Sequence, residues 1–246
     1  MRLSPEEYDK WYYTKKGKYI SGLEKKVLLK MIKPSAISHQ LSAIDIGCGA
    51  GYFTQFLGTL CRNVVGIDTD MDMIRYARSH AGRGNENHKG SNINYLVADA
   101  ESLPFKDRSF DIALTITSVN FLKNPAKAVS EAIRVSREKI FLGVLNKWSL
   151  LSVFKKLKGL FKETSYSDAC FYSQKEITNI FSILEFPLPY GERVGVRGIQ
   201  TRHTYFLPFP KMQLILSRFE MIIPSWLPFG GFMGIVGDME SKQNRG

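Results

Sequence analysis

Ala43-Ile44-Asp45-Ile46-Gly47-Cys48-Gly49-Ala50-Gly51-Tyr52 is an apolar strand that ends in an acid and opens into three glycines on alternate positions. Glycine at such a bend admits positive φ and lets backbone approach a ligand closely, and the helix that follows offers unpaired N–H groups to a polar or anionic one. The stretch reads as a nucleotide-type cofactor loop. Its spacing is GxGxG, whereas a dinucleotide loop wants GxGxxG, its third glycine one residue later for helix packing against a bound pyrophosphate. Tyr52 stands where that third glycine would be, and Asp45 lines the loop with a carboxylate.

Outward from the loop the chain alternates strand and helix. Leu41 to Ile46 is the first strand, and Phe53, Phe56, Leu57 and Leu60 recur at helical spacing after the glycines. A second strand spans Asn63 to Asp68, followed by a helix across Met71, Ile74 and Ala77 and a polar loop from Gly82 to Asn92. Ile93 to Ala98 and Phe110 to Thr117 are further strands. Asn124 as N-cap with Pro125 behind it starts a helix whose face is Ala128, Val129, Ala132 and Ile133, and Lys139 to Leu145 is a fifth strand. This order predicts an α/β fold of Rossmann-like type: a doubly wound, seven-stranded, mostly parallel sheet with an antiparallel last strand and ligand at the carboxyl ends of the strands.

The 246 residues suit one domain with a substantial core. Its parts are expected as an N-terminal lid helix over 1–34, a cofactor-binding core over 41–145, a basic amphipathic lid over 146–172, and the rest of the sheet with the substrate side over 173–240. The polar end, 241–246, is expected to be disordered. Before the core, Ile20, Leu23, Val27, Leu28 and Met31 form one helical face, ending before Pro34. After it, Ser173-Gln174-Lys175-Glu176 is a capping box leading into Ile177, Ile180, Phe181 and Leu184. The stretch from Pro187 to Gln200 has no clear period and reads equally as strand or inserted loop, while Gly231 to Val236 suits a last antiparallel strand.

The formal net charge is +11, a balance suited to nucleic acid, an anionic membrane surface or an acidic substrate. Cys48, Cys61 and Cys170 are widely spaced, which argues against a disulfide scaffold or a zinc site and fits a cytoplasmic protein with no bound metal. The late apolar run from Met221 to Gly237 is broken by Pro224, Pro228 and glycines and falls short of the about 20 residues of a spanning helix.

Three further features stand in register with the loop. Asp68 closes the apolar run Val64-Val65-Gly66-Ile67, with Thr69 after it, where a carboxylate can accept from ribose hydroxyls. Val97-Ala98-Asp99-Ala100-Glu101-Ser102-Leu103-Pro104-Phe105 is followed by Ser109-Phe110-Asp111-Ile112. Tyr8-Asp9-Lys10-Trp11-Tyr12 precedes Thr14, Gly17 and Glu24. Together with Asp45-x-Gly47-x-Gly49-x-Gly51, these resemble the class I S-adenosylmethionine (SAM) methyltransferases, and the "LPF…SFD" stretch resembles the methyltransferase type 11 group that includes ubiquinone and menaquinone C-methyltransferases. The resemblance covers Tyr8 to about Leu145.

The resemblance implies S-adenosylmethionine as cofactor, held by Asp45, Gly47, Cys48, Gly49, Gly51, Asp68, Thr69, Asp99, Ala100 and Thr117, with Tyr8 and Trp11 in a lid over it. Asp99 would accept from the adenine amino group and the Ala100 N–H would donate to a ring nitrogen. An aromatic ring beside the sulfonium would gain about 0.5 to 2 kcal/mol. Asn120, Thr117, Tyr12 and Tyr172 are candidates to face the acceptor. Where relatives often carry a His pair after the fourth strand, this chain reads Ser118-Val119-Asn120-Phe121-Leu122, without an imidazole base. Where they have "RVLKPGG" it has Arg134-Val135-Ser136-Arg137-Glu138.

The helical pattern from Trp148 to Lys162 sets Leu150, Leu151, Phe154, Leu157 and Phe161 against Lys155, Lys156, Lys158 and Lys162. A lid over the substrate is the favoured reading; peripheral contact with an anionic membrane comes next, and nucleic acid last. The expected activity is methyl transfer to a small-molecule acceptor of lipid-like or quinone-like kind. An NAD(P)-dependent oxidoreductase and a SAM-binding protein without activity are the alternatives; the methyl acceptor and the oligomeric state are not written in the sequence.

Overall fold

A computed structural model describes residues 3–32, 40–81, 92–149, 169–183, 186–187, 193–204 and 231–242. Helices α1 (Pro5–Tyr13) and α2 (Lys15–Ile32) precede β1 (Ser42–Ile46), α3 (Tyr52–Gly58), β2 (Asn63–Asp68), α4 (Met71–His80), β3 (Asn92–Val97) and β4 (Phe110–Ile116). A 3-10 turn over Ser118–Phe121 leads to α5 (Pro125–Val135) and β5 (Ser136–Leu145), followed by α6 (Gln174–Ile183), β6 (Phe186–Pro187), β7 (Arg193–Thr204) and β8 (Phe232–Lys242). The sheet order is β3-β2-β1-β4-β5-β8-β7-β6. Strands β1 to β5 pair in parallel, and β8, β7 and β6 each run antiparallel to the neighbour before them.

Seven long strands therefore stand as the sequence predicts, with a two-residue eighth at the edge. Alternation of side chains along β4, β5 and β8 feeds two cores. One face packs under α5 and α6 with Val129, Ile133, Ile140, Val144, Ile177 and Phe181, and the other under α2 and α3 with Leu28, Met31, Phe53, Leu57, Phe141 and Phe232. Glycine makes one of these contacts close: a Cβ on Gly234 would run into Val27 and Met31 of α2.

Several boundaries differ from the sequence reading. The N-terminal lid is two helices rather than one, because Thr14 turns the chain: its Oγ1 donates to Trp11 O at 2.7 Å and accepts from Gly17 N at 3.0 Å. A Cβ on Gly17 would collide with the Trp11 carbonyl, so Thr14 and Gly17 are the corner of the lid. The unplaced stretch 187–200 contains most of β7, whose period is broken by a register shift between Arg197 and Gln200 and by Gly198 at φ +60°. Residues 241–242, expected in a disordered tail, instead continue β8, where Lys242 pairs with Arg193. Trp148 and Ser149 stand in a turn after β5, and the rest of the predicted basic helix, 150–162, lies outside the described residues, as do the tail residues 243–246. The capping box is present, with Ser173 N and Oγ each donating to Glu176 Oε2 at 2.7 Å. No helix among the described residues is long and apolar enough to cross a membrane.

Candidate cofactor site

Gly47, Gly49 and Gly51 adopt φ of +76°, +53° and +87°, a region closed to most side chains. Four of the loop's amides are spent within the protein. Gly47 N and Cys48 N both donate to Ile67 O at 2.8 Å, Gly51 N donates to Cys48 O at 3.0 Å, and Gly49 N donates to Asp68 Oδ2 at 2.9 Å. A pyrophosphate cradle needs such N–H groups aimed at the ligand. Here they weld the loop to the end of β2.

Asp68 sits at that end with both oxygens engaged once, Oδ1 accepting from Asp70 N at 2.9 Å. A carboxylate has room for about four donors, so two positions remain for hydroxyls. Thr69 beside it is exposed. At the end of β3, Asp99 forms a tight turn, its Oδ1 accepting from Glu101 N at 2.8 Å and its carbonyl from Ser102 N at 3.1 Å. Asp99 is exposed and Ala100 buried beneath it. Asp68 and Asp99 thus close adjacent strands on one edge of the sheet, as the cofactor reading requires.

Asp45 does something else. Its carboxylate is buried under the loop and accepts from Thr54 Oγ1 at 2.7 Å, so it is a support behind the glycines rather than a wall of the site. Burial pushes its pKa up to about 6; the Thr54 hydrogen bond opposes this and the Asp68 charge adds to it. Cys48 points the same way, packing with Ile74, Ala77 and Tyr95. Burial raises its thiol well above the usual value, helped by the charges of Asp45 and Asp68, which makes it an inert core side chain. Only the backbone of Cys48 serves the loop.

Helix α1 lies over the glycines. A Cβ on Gly49 would stand 3.1 Å from the Tyr8 ring, and Tyr8 Oη meets Tyr12 Oη at 3.2 Å. Burial raises the Tyr8 hydroxyl pKa, keeping it neutral. Tyr12 is buried and stacked on Tyr52, ring centroids 3.9 Å apart and 8° from parallel. Trp11 packs edge-on to Tyr12 within the α2 core. Tyr76 Oη on α4 donates to Asp9 Oδ2 at 3.1 Å and holds the other side of α1. Tyr52 therefore replaces the dinucleotide glycine with an anchor: it carries Tyr12 on one face, bonds Ser21 at 2.9 Å, and has the Lys25 ammonium 4.1 Å from its ring. Its sequence signal was only that a bulky ring stands where glycine is excluded from need.

The loop after β4 is joined to the glycine loop. Ser118 Oγ donates to Ile46 O at 2.7 Å, and a Cβ on Gly47 would collide with Ser118. Thr117, just before it, has φ +61°, rare for a β-branched residue and a sign of backbone strain at the strand end. Asn120 is fully buried, and its amide serves the main chain, Oδ1 accepting from Leu145 N at 3.1 Å and Nδ2 donating to Cys170 O at 2.5 Å. Its buried side chain braces this edge by these two main-chain bonds. Tyr172 pairs by backbone with Leu145 and Lys147, beside Asn146 at the end of β5. Among the described residues no cluster of His, Cys, Asp and Glu could hold a metal ion.

A family model described as "Methyltransferase domain" matches residues 44–141. Protein MJ1123 of Methanocaldococcus jannaschii is 33% identical over 215 residues, which cover 85% of this chain and 87% of that one. A malonyl-[acyl-carrier protein] O-methyltransferase of Pectobacterium atrosepticum is 32% identical over 97 residues, 39% of this chain and 35% of that enzyme. The fold matches a crystal structure from Thermotoga maritima described as a SAM-dependent methyltransferase, possible histamine N-methyltransferase, with TM-score 0.64, 23% identity and 96% of each chain covered. The chain belongs to the class I SAM-dependent methyltransferases, in one family with MJ1123. It is an enzyme whose cofactor is S-adenosylmethionine.

Proposed function

We propose that this methyltransferase acts on a small molecule with an apolar, lipid-like or quinone-like body. The observation that carries the reading is aromatic surface on the carboxyl edge beyond the cofactor loop: Phe121 after β4 is 46% exposed and Trp148 after β5 is 61% exposed. Apolar rings at a sheet edge that binds ligand favour an apolar occupant over a highly charged one. Nucleic acid is correspondingly disfavoured, and the basic stretch 150–162, with an anionic membrane as its counterpart, belongs to the same reading. The site lies in the cytoplasm on this account.

On the donor side, Asp68 takes the ribose hydroxyls, Asp99 and the Ala100 N–H take the adenine edge, and Tyr8 covers the methionine end above Gly49. SAM supplies a methyl group already activated on a sulfonium, so the protein's task is to align an acceptor atom with it and to keep water out. Thr117 and Ser118, joined to the glycine loop, hold the edge at which that alignment occurs. No imidazole stands on this loop, so an acceptor whose nucleophile is already electron-rich suits it best.

The test is transfer of labelled methyl from SAM to the components of an organic and an aqueous cell extract. Label partitioning into the organic products supports the reading. Label confined to water-soluble products would sink the apolar acceptor.

A further inference from the structure

Two buried polar side chains at the far end of the same sheet edge have no hydrogen-bond partner among the described residues. His203 and Thr204 end β7, level through Met233 and Phe232 with Val144 and Leu145 at the end of β5. They are 5% and 8% exposed, and among the described residues neither ring nitrogen of His203, nor Thr204 Oγ1, makes a hydrogen bond. Leaving such a group unsatisfied in a buried place is destabilising. A fold that retains two side by side at a ligand-binding edge leaves them for something that binds there.

The register fixes their surroundings. His203 lies opposite Met233, which lies opposite Val144, on the core face shared with Ile177 and Phe181 of α6. Alternation turns Thr204 to the other face with Phe232, so the pair brackets the edge. Burial in these apolar surroundings lowers the His203 pKa and keeps the ring neutral, with one donor and one acceptor nitrogen. Such a ring pairs best with an uncharged hydroxyl or amide, because a bare charge there would lack compensation.

Distance decides the role. From β4 to β7 is three strand spacings, about 14 Å at about 4.8 Å each. A general base must come within about 3 Å of the proton it takes, so His203 is not the base at an atom methylated over β4. We propose that His203 is a specificity-determining residue, hydrogen-bonding an uncharged polar group at the distal end of an elongated apolar acceptor whose methylated atom sits over β4. The inference rests on the apolar-acceptor reading above. It adds the acceptor's length and the place of its second polar group.

The experiment uses the full chain, labelled SAM and a chloroform–methanol cell extract as probe, with the amount of extract that gives the half-maximal rate as readout. His203→Leu raises that amount about tenfold while the maximal rate changes less than about threefold. His203→Gln, which keeps a donor and an acceptor, restores most of it, and calorimetric affinity for S-adenosylhomocysteine stays the same in all three proteins. A His203→Leu protein that half-saturates within about twofold of the wild type overturns the proposal. So does equal impairment of the Leu and Gln variants, which marks a packing role, and so does a wild type that binds SAM but transfers no label to the organic phase. Failure of the wild type to bind SAM strikes the methyltransferase reading instead.

Discussion

The donor half and the acceptor half of this sheet edge are built in different ways. At the ends of β1, β2 and β3 the cofactor-side pairs lie within one turn or one strand–helix–strand unit: Gly49 with Asp68, Asp99 with Glu101, Thr54 with Asp45. At the ends of β4, β5 and β7 local pairs such as Thr115 with Ser118 stand beside pairs between distant parts of the chain. Asn120 reaches Leu145 and Cys170, Ser118 reaches Ile46, and His203 has no partner among the described residues. A cofactor common to many enzymes is met by a local, motif-sized constellation. An acceptor peculiar to one of them is met by residues that only the tertiary fold assembles.

The largest expected effect is on the donor half. Asp68→Ala removes the group proposed to take the ribose and also frees Gly49 N and Asp70 N, so affinity for S-adenosylhomocysteine should fall about a hundredfold, near 3 kcal/mol, by calorimetry. Unchanged affinity would move the ribose elsewhere and erase the contrast. On the acceptor half, Asn120→Ala leaves the Leu145 N–H and Cys170 carbonyl unpaired in a buried place. Unfolding by denaturant should show a loss of about 2–3 kcal/mol, with cofactor affinity altered by less than about threefold. An equal loss of cofactor binding would show that the two halves are one unit.

Asp45 allows a pH test of the support beneath the glycines. Its folded-state pKa of about 6 lies above the ordinary carboxylate value of 3.8, so the folded protein holds this proton more tightly than the unfolded chain. The group's contribution to stability is therefore fully present below about pH 4 and is lost as pH rises towards 6. Asp45→Asn should flatten that decline, for a gain at pH 7 of about 2 kcal/mol or less. A pH-stability profile identical to that of the wild type would contradict the burial argument. The smallest effect belongs to the lid: Tyr12→Leu removes the stack on Tyr52, about 0.5–1.5 kcal/mol, and should weaken cofactor binding by about threefold to tenfold. No change would mean that α1 stays over the loop without that stack.

What the sequence disclosed follows the same division. The strand–glycine–helix unit, Asp68 and the Asp99 turn were legible because their spacing is fixed by local backbone geometry, and all lie at one edge of the folded sheet. Asp45, expected to line the loop, is buried beneath it and bonded by Thr54, a partner on the next helix that spacing alone does not reveal. Thr14 and Gly17 were visible as part of a pattern, but their role as a helix corner needed the Trp11 carbonyl to be placed. β7 escaped because its bulge at Arg197 to Gln200 breaks the period of two, and with it escaped the position of His203. Asn120 looked like an acceptor-side amide in sequence, and its two long-range backbone bonds make it a brace.

The central claim is that the glycine loop, with its amides turned inward and Asp68 and Asp99 turned to the edge, is a SAM site and not a dinucleotide site. Calorimetric titration of the wild-type protein with SAM, S-adenosylhomocysteine and NAD tests it most directly. Saturable one-to-one binding of both adenosyl ligands and no heat with NAD is the predicted result. Binding of NAD, or no heat with either adenosyl ligand, would contradict it.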